Sequence, residues 1–239
     1  EAGNVVEEWD SGKEAHEVKG LKTGETYTLR ETVAPDGYTV TSDTTFTLNA
    51  DGSIDTENTT TTVGQDGVLL VEDSLTSVKI SKVDVTSSEE LEGAHIQILD
   101  EAGNVVEEWD SGKEAHEVTG LKTGETYTLR ETVAPDGYTI TSDTTFVLKE
   151  DGSIDTDKTT TTVSEEGVLL VEDKLTSVKI SKVDITTQEE LEGAHIQILD
   201  KEGNVVEEWD STGEAHEVTG LKTGETYTLR ETVAPDGYT

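Results

Sequence analysis

The sequence predicts an all-β fold: small antiparallel β-sandwiches in tandem, one for each period of 100 residues. Three observations lead there. Long strings recur at a fixed spacing, short alternating apolar segments fill each period, and no stretch places apolar residues at helical spacing over three turns. "EAGNVVEEWDSGKEAHEV" begins at Glu1 and again at Glu101, and "KEGNVVEEWDSTGEAHEV" follows at Lys201. "SVKISKVD" occupies 77–84 and 177–184, and "GVLLVED" occupies 67–73 and 167–173. A period of that length without insertions is too long for a solenoid unit and suits one small β domain.

The elements follow in order. "VKISKVD" (78–84), "AHIQILD" (94–100), "NVVEEW" (104–109), "ETYTLRETV" (125–133), "TTFVLKE" (144–150) and "GVLLVED" (167–173) are short and β-branched or alternating. Turn formers separate them: "DEAGN", "KTGE", "APDG" and "EDGS". The expectation is a seven- or eight-stranded Greek-key sandwich. Residues 74–173 form the complete domain, 1–73 lack its first strand, and 174–239 lack its last strands. The chain reads as a window on a longer array, with a split domain joined between chains as the less economical alternative.

Composition narrows the function. Of 239 residues, 53 are Asp or Glu against 17 Lys or Arg, a net charge of −36. Such a surface repels nucleic acid and anionic membranes. High acidity with 5% aromatics could signal disorder, but the regular strand alternation argues against it. Cysteine is absent, which excludes disulfides and thiolate metal sites. A thin core without disulfides needs another staple.

Strand parity suggests one. Side chains at i and i+2 share a face. In "VKISKVD", Lys82 continues the face of Val78 and Ile80. In "TYTLRETV", Glu131 shares a face with Tyr127, Leu129 and Val133. In "GVLLVED", Asp173 continues the stripe of Leu169 and Val171. Buried charges must be paired or neutralised. Parity alone leaves two readings open: strand ends or an ordinary ion pair on one side, a reactive cluster on the other. Lys79 lies on the opposite face and is expected in solvent.

"ETVAPDGY" after a strand, "SKVDVTSSEELEGAHIQILD" with its K-x-D and L-x-G-A, and the closing "VLLVED" together resemble the Cna protein B-type domain. The resemblance covers the whole period. It implies a prealbumin-like β-sandwich of Gram-positive surface adhesins and pilins, in which a first-strand Lys forms an intramolecular isopeptide bond with a last-strand Asn or Asp, promoted by a Glu. Carried over, the Lys positions are Lys82 and Lys182, the promoting acids are Glu31, Glu131 and Glu231, and the acceptors are Asp73 and Asp173. An Asp acceptor, where many members carry Asn, releases water instead of ammonia. The chemistry suits a buried setting: an amine attacks only when neutral, a carboxyl accepts only when protonated, and desolvation favours both neutral forms.

Other signals are weak. Asp151, Asp155 and Asp157 in "EDGSIDTDK" lack the spacing and closing Glu of a calcium loop and read as a hairpin turn. Trp109 is expected at a sandwich edge, and His95 and His116 as strand residues without metal. Asn58 opens a sequon that Lys158 replaces one period later. No cofactor and no enzymatic turnover are expected. The functional expectation is a stalk or fibre segment on a bacterial cell surface, its partners being neighbouring repeats or other chains of a fibre. Two alternatives are a module binding a host protein or calcium, and a shaft pilin polymerised by sortase.

Overall fold

The computed structural model describes residues 3–239; Glu1 and Ala2, which open the first repeat, lie outside the described residues. Among the described residues there are strands and turns but no helix. The first repeat contributes β1 (Thr26–Leu29), β2 (Thr44–Thr47), β3 (Thr62–Val63) and β4 (Leu69–Leu70). The middle run holds β5 (Ser77–Asp84), β6 (His95–Leu99), β7 (Val105–Asp110), β8 (His116–Thr119), β9 (Thr126–Val133), β10 (Thr144–Val147), β11 (Thr162–Val163) and β12 (Leu169–Asp173). The last repeat adds β13 (Ser177–Ile180), β14 (His195–Leu199), β15 (Val205–Asp210), β16 (His216–Thr219) and β17 (Thr228–Val233).

The chain divides into two compact units. One comprises Glu1–Ser77, Thr119–Gly124 and Leu148–Ser153; the other comprises Val78–Val118, Glu125–Val147 and Ile154–Thr239.

Two four-stranded sheets make up the middle run, ordered β11-β12-β5-β8 and β10-β9-β6-β7. Their inner faces carry Val78, Ile80, Leu169 and Val171 from one sheet and Ile96, Ile98, Tyr127, Leu129 and Phe146 from the other, all buried. Tyr127 and Phe146 stack at 5.5 Å between ring centroids. The six strands expected in this run are present, with bounds shifted by a few residues at most; β8 and the two-residue β11 are additional. "HEVT" and "TV" are too short to stand out as periodic, so only pairing identifies them.

One pairing departs from the antiparallel rule. β12 runs parallel to β5, with Val171 opposite Lys82 and Asp173 opposite Asp84. No hairpin can join parallel neighbours, so everything between 84 and 169 serves as the crossover. That crossover supplies the facing sheet.

The smaller expectations resolve simply. Lys79 is exposed. Trp109 lies on the edge strand β7 and stacks on His116 at 4.3 Å, and the same pair recurs as Trp9–His16 and Trp209–His216. His95 bonds Asp110 across the β6–β7 ladder at 2.8 Å. Asp151 turns its carboxylate onto the amide and hydroxyl of Ser153, at 2.9 and 2.6 Å, as in a hairpin turn.

Candidate functional site

Three strands deliver three ionisable side chains to one point between the sheets. On β5, alternation sends Val78, Ile80 and Lys82 inward, and Lys82 is among the largest fully buried side chains. On β12, Leu169, Val171 and Asp173 are buried while Leu170 and Glu172 are only partly so. On β9, Tyr127, Leu129 and Glu131 are buried. The side chains of Lys82, Glu131 and Asp173 all have 0% exposure. Strand parity anticipated all three.

Val133 breaks the pattern. It was expected on the face of Glu131, but it is 54% exposed. The β6–β9 register shifts between His95 and Ile96, so that Ile96 faces Glu131 and His95 faces Val133. Thr132 is therefore an extra residue on β9, and a bulge of this kind turns the following side chain away. Glu131 is the last inward residue of its strand.

Lys82 Nζ touches Asp173 Oδ1 and lies 3.1 Å from Glu131 Oε1. The other oxygen of Glu131, Oε2, accepts the Thr141 amide at 2.8 Å. Beyond that amide the cluster is poorly served: Nζ, Glu131 Oε1 and both Asp173 oxygens make no hydrogen bond of regular geometry. Burial pushes the Glu131 carboxyl up to about 7, against the opposing pull of the Thr141 amide and the Lys82 ammonium. Desolvation thus wins over pairing at this carboxyl.

Two residues that sequence reasoning passed over complete the surroundings. Asp84, the acid of K-x-D, accepts the amides of Thr86 and Ser87 at 2.7 and 2.8 Å, which holds it below the usual carboxylate range. Tyr138, the last residue of "ETVAPDGY", bonds Asp84 through its hydroxyl. The Val85 amide then donates to the Asp173 carbonyl at 2.8 Å. These contacts secure the ends of β5 and β12 beside the cluster. The K-x-D spacing was the available signal, but nothing in it specified a tyrosine partner.

The other copies assemble only in part. Glu31 Oε2 accepts the Thr41 amide at 2.8 Å, as its counterpart does, and its carboxyl is raised by burial and by the nearby Asp73. No lysine accompanies that pair among the described contacts. Lys182 Nζ lies 3.2 Å from Glu231 Oε1, with side-chain exposures of 27% and 33%, and among the described residues no acceptor carboxylate joins them. Among the described residues no group of three or more His, Asp or Glu is placed to hold a metal ion.

The family described as SpaA, prealbumin-like fold domain, matches residues 1–62, 76–162 and 176–239. No curated protein matches the chain. Among solved structures, the Bacillus anthracis TIE protein is 26% identical with a TM-score of 0.44, over 88% of this chain and 37% of that one. This chain therefore spans little more than a third of that protein. The shaft pilin spaA from Lactobacillus rhamnosus GG is 16% identical with a TM-score of 0.31, over 68% of this chain and 89% of the pilin. The pilus adhesin SpaC from the same bacterium, in an open conformation, is 19% identical with a TM-score of 0.36, over 75% of this chain and 27% of the adhesin. With the family matched along most of its length, and the all-β sandwich sheets in place, this chain belongs to the SpaA prealbumin-like fold domain family.

Proposed function

We propose that the chain is a segment of a tandem stalk or fibre outside a Gram-positive cell, and that Lys82 and Asp173 join covalently to stiffen it. In this reading 74–173 is the complete domain, and 1–73 and 174–239 are parts of its neighbours. The observation that carries it is the buried cluster itself. An ammonium and two carboxylates without exposure, with the Thr141 amide on Glu131 as their one regular hydrogen bond, are costly as charges. Condensation removes two of them.

The step balances simply. The Lys82 amine attacks Asp173 Cγ, the new N–C bond forms, a C–O bond breaks, and one water leaves. The reactive state carries two protons shared among the three groups and no net charge. With Asp173 holding one of those protons, Glu131, titrating near 7, takes the other from the ammonium, gives it to the departing hydroxyl and receives the last amine proton as the amide forms. Folding supplies proximity. Each domain reacts once, so there is no turnover.

The intact chain is expected to weigh one water less than its sequence, and Glu131→Ala to restore the full mass. A parent at full mass refutes the bond. Mechanical function is read separately, by single-molecule pulling between the chain ends. Tension enters the middle domain through β5 and leaves through β12, so a Lys82–Asp173 bond takes the residues between them out of the path. No extension step from that domain is expected in the parent, and a full step is expected in Glu131→Ala. A full extension step from the middle domain of the parent would refute both the bond and the stiffening proposed for it.

A further inference from the structure

The "APDGY" turn that follows Glu131 recurs unchanged, although only its Tyr138 contributes to the buried cluster. Its Asp and Gly meet the next repeat. The same set of contacts occurs twice, once wholly inside each compact unit. In the first, Gly37 has φ +82°, and a Cβ there would stand 2.7 Å from the carbonyl oxygen of Gly120. In the second, Gly137 has φ +86°, and a Cβ would stand 2.7 Å from the carbonyl oxygen of Gly220. Backbone packed on backbone cannot give way, so no side chain fits at either position.

A threonine stitches each contact. The Thr76 amide donates to the Gly37 carbonyl at 2.9 Å, the Gly120 amide donates to the Thr76 carbonyl at 3.0 Å, and the Thr76 hydroxyl lies 2.6 Å from the Leu121 carbonyl. Thr176 repeats this with Gly137 at 2.8 Å, Gly220 at 3.0 Å and Leu221 at 2.6 Å. Thr76 has 0% exposure. The strand is tied once more by the Thr39 amide on the Ser74 carbonyl at 2.9 Å, and by the Thr139 amide on the Lys174 carbonyl at 3.0 Å. At the rim, Asp36 pairs with Lys122 at 2.9 Å, and Asp136 pairs with Lys222.

We infer that the Asp-Gly of each "APDGY" turn is a docking surface for the "TGLK" turn of the following repeat, and that the partner it selects is another copy of this domain. The motif at 131–138 then works in two directions: Glu131 faces the buried Lys82 and Asp173, and Asp136-Gly137 clasps the neighbour. The glycine contact and the buried threonine set the geometry. The Asp136–Lys222 pair is more than half exposed, and pairs of that kind contribute little.

The test measures whether the junction holds one geometry. The chain has no cysteine, so Glu166→Cys and Glu202→Cys place spin labels at exposed positions on either side of the second junction without further changes. Pulsed dipolar spectroscopy on the full chain should give a single narrow distance distribution. Gly137→Val should broaden it, roughly doubling its width, as expected when a docked junction becomes a short flexible tether. Gly103→Val is the control: it imposes the same backbone strain at φ +83°, but nothing lies within 4 Å of its Cβ. It should leave the distribution narrow. Lys222→Glu should broaden it only slightly.

A broad distribution in the parent overturns the proposal, and so does equal width in Gly137→Val and Gly103→Val. Intact mass and far-ultraviolet circular dichroism report whether each variant still folds. Should Gly137→Val fail to fold, Thr176→Val, outside the turn, takes its place with the same expected broadening. The outcomes separate from the crosslink reading. A parent at full mass with a narrow distribution refutes the bond and keeps the clasp; a parent lighter by one water with a broad distribution does the reverse.

Discussion

Glu131 and Glu231 occupy the same place in an identical "ETVAPDGY", yet they live in different environments. Glu131 is enclosed between two sheets, its side chain without exposure, and burial holds its carboxyl near neutrality. Glu231 keeps a lysine at the same reach but is a third exposed, on a strand whose residues are all exposed. The lysines differ likewise: Lys82 sits on an eight-residue strand paired to β12, and Lys182 lies just beyond the four-residue β13, which pairs only with β16. The first copy shows the complementary lack. Glu31 and Asp73 lie together there, but β4 is only two residues long and, among the described residues, no lysine reaches them. The proposed condensation therefore calls for a closed pair of sheets as well as the right residues, because exposure leaves the charges hydrated and stable as ions.

The sharpest way to break this comparison is to complete the last copy. A copy of residues 140–173 placed after Thr239 should let β13 gain its parallel partner, enclose Lys182 and Glu231, and supply an acceptor. The extended chain is expected to lose two waters by intact mass where the parent loses one. A single loss from a folded extension would mean that closure is insufficient.

A smaller effect separates the two acceptors. Bonding Lys82 to Asp173 closes a loop of about 90 residues, a constraint worth roughly 4–5 kcal/mol in the chain-entropy account. Asp173→Ala should lower the highest calorimetric transition by that order and expose the middle domain to protease. Asp73→Ala removes a carboxylate that has no lysine partner, and should stay within about 1 kcal/mol of the parent. Equal losses in the two variants would contradict the contrast drawn between the copies.

Smaller still is the effect of pH on the rate of bond formation. The reactive cluster needs two protons, and the one more readily lost belongs to the group titrating at about 7. Refolding followed by mass should therefore be fast below that pH. Above it the rate should fall by about tenfold per unit, as the protonated fraction does. A rate that rises steadily from pH 6 to 9 would show that deprotonating the amine, and not keeping the second proton in the cluster, controls the step.

Much of this was legible before any coordinates. Repetition at 100 residues and alternation within "VKISKVD", "TYTLRETV" and "GVLLVED" determined strands, their inward faces and the three ionisable residues on those faces, because side-chain parity is a local property of extended chain. Only the tertiary structure decided the rest. Parallel pairing of β5 with β12 joins residues about 90 positions apart, and no local pattern encodes which strands become neighbours. The bulge at Thr132 turned Val133 outward against its parity, since register is a property of two strands together. Burial likewise belongs to the assembly: one octapeptide holds a desolvated acid at 131 and a solvated one at 231, because desolvation depends on what covers a residue and not on the residue itself.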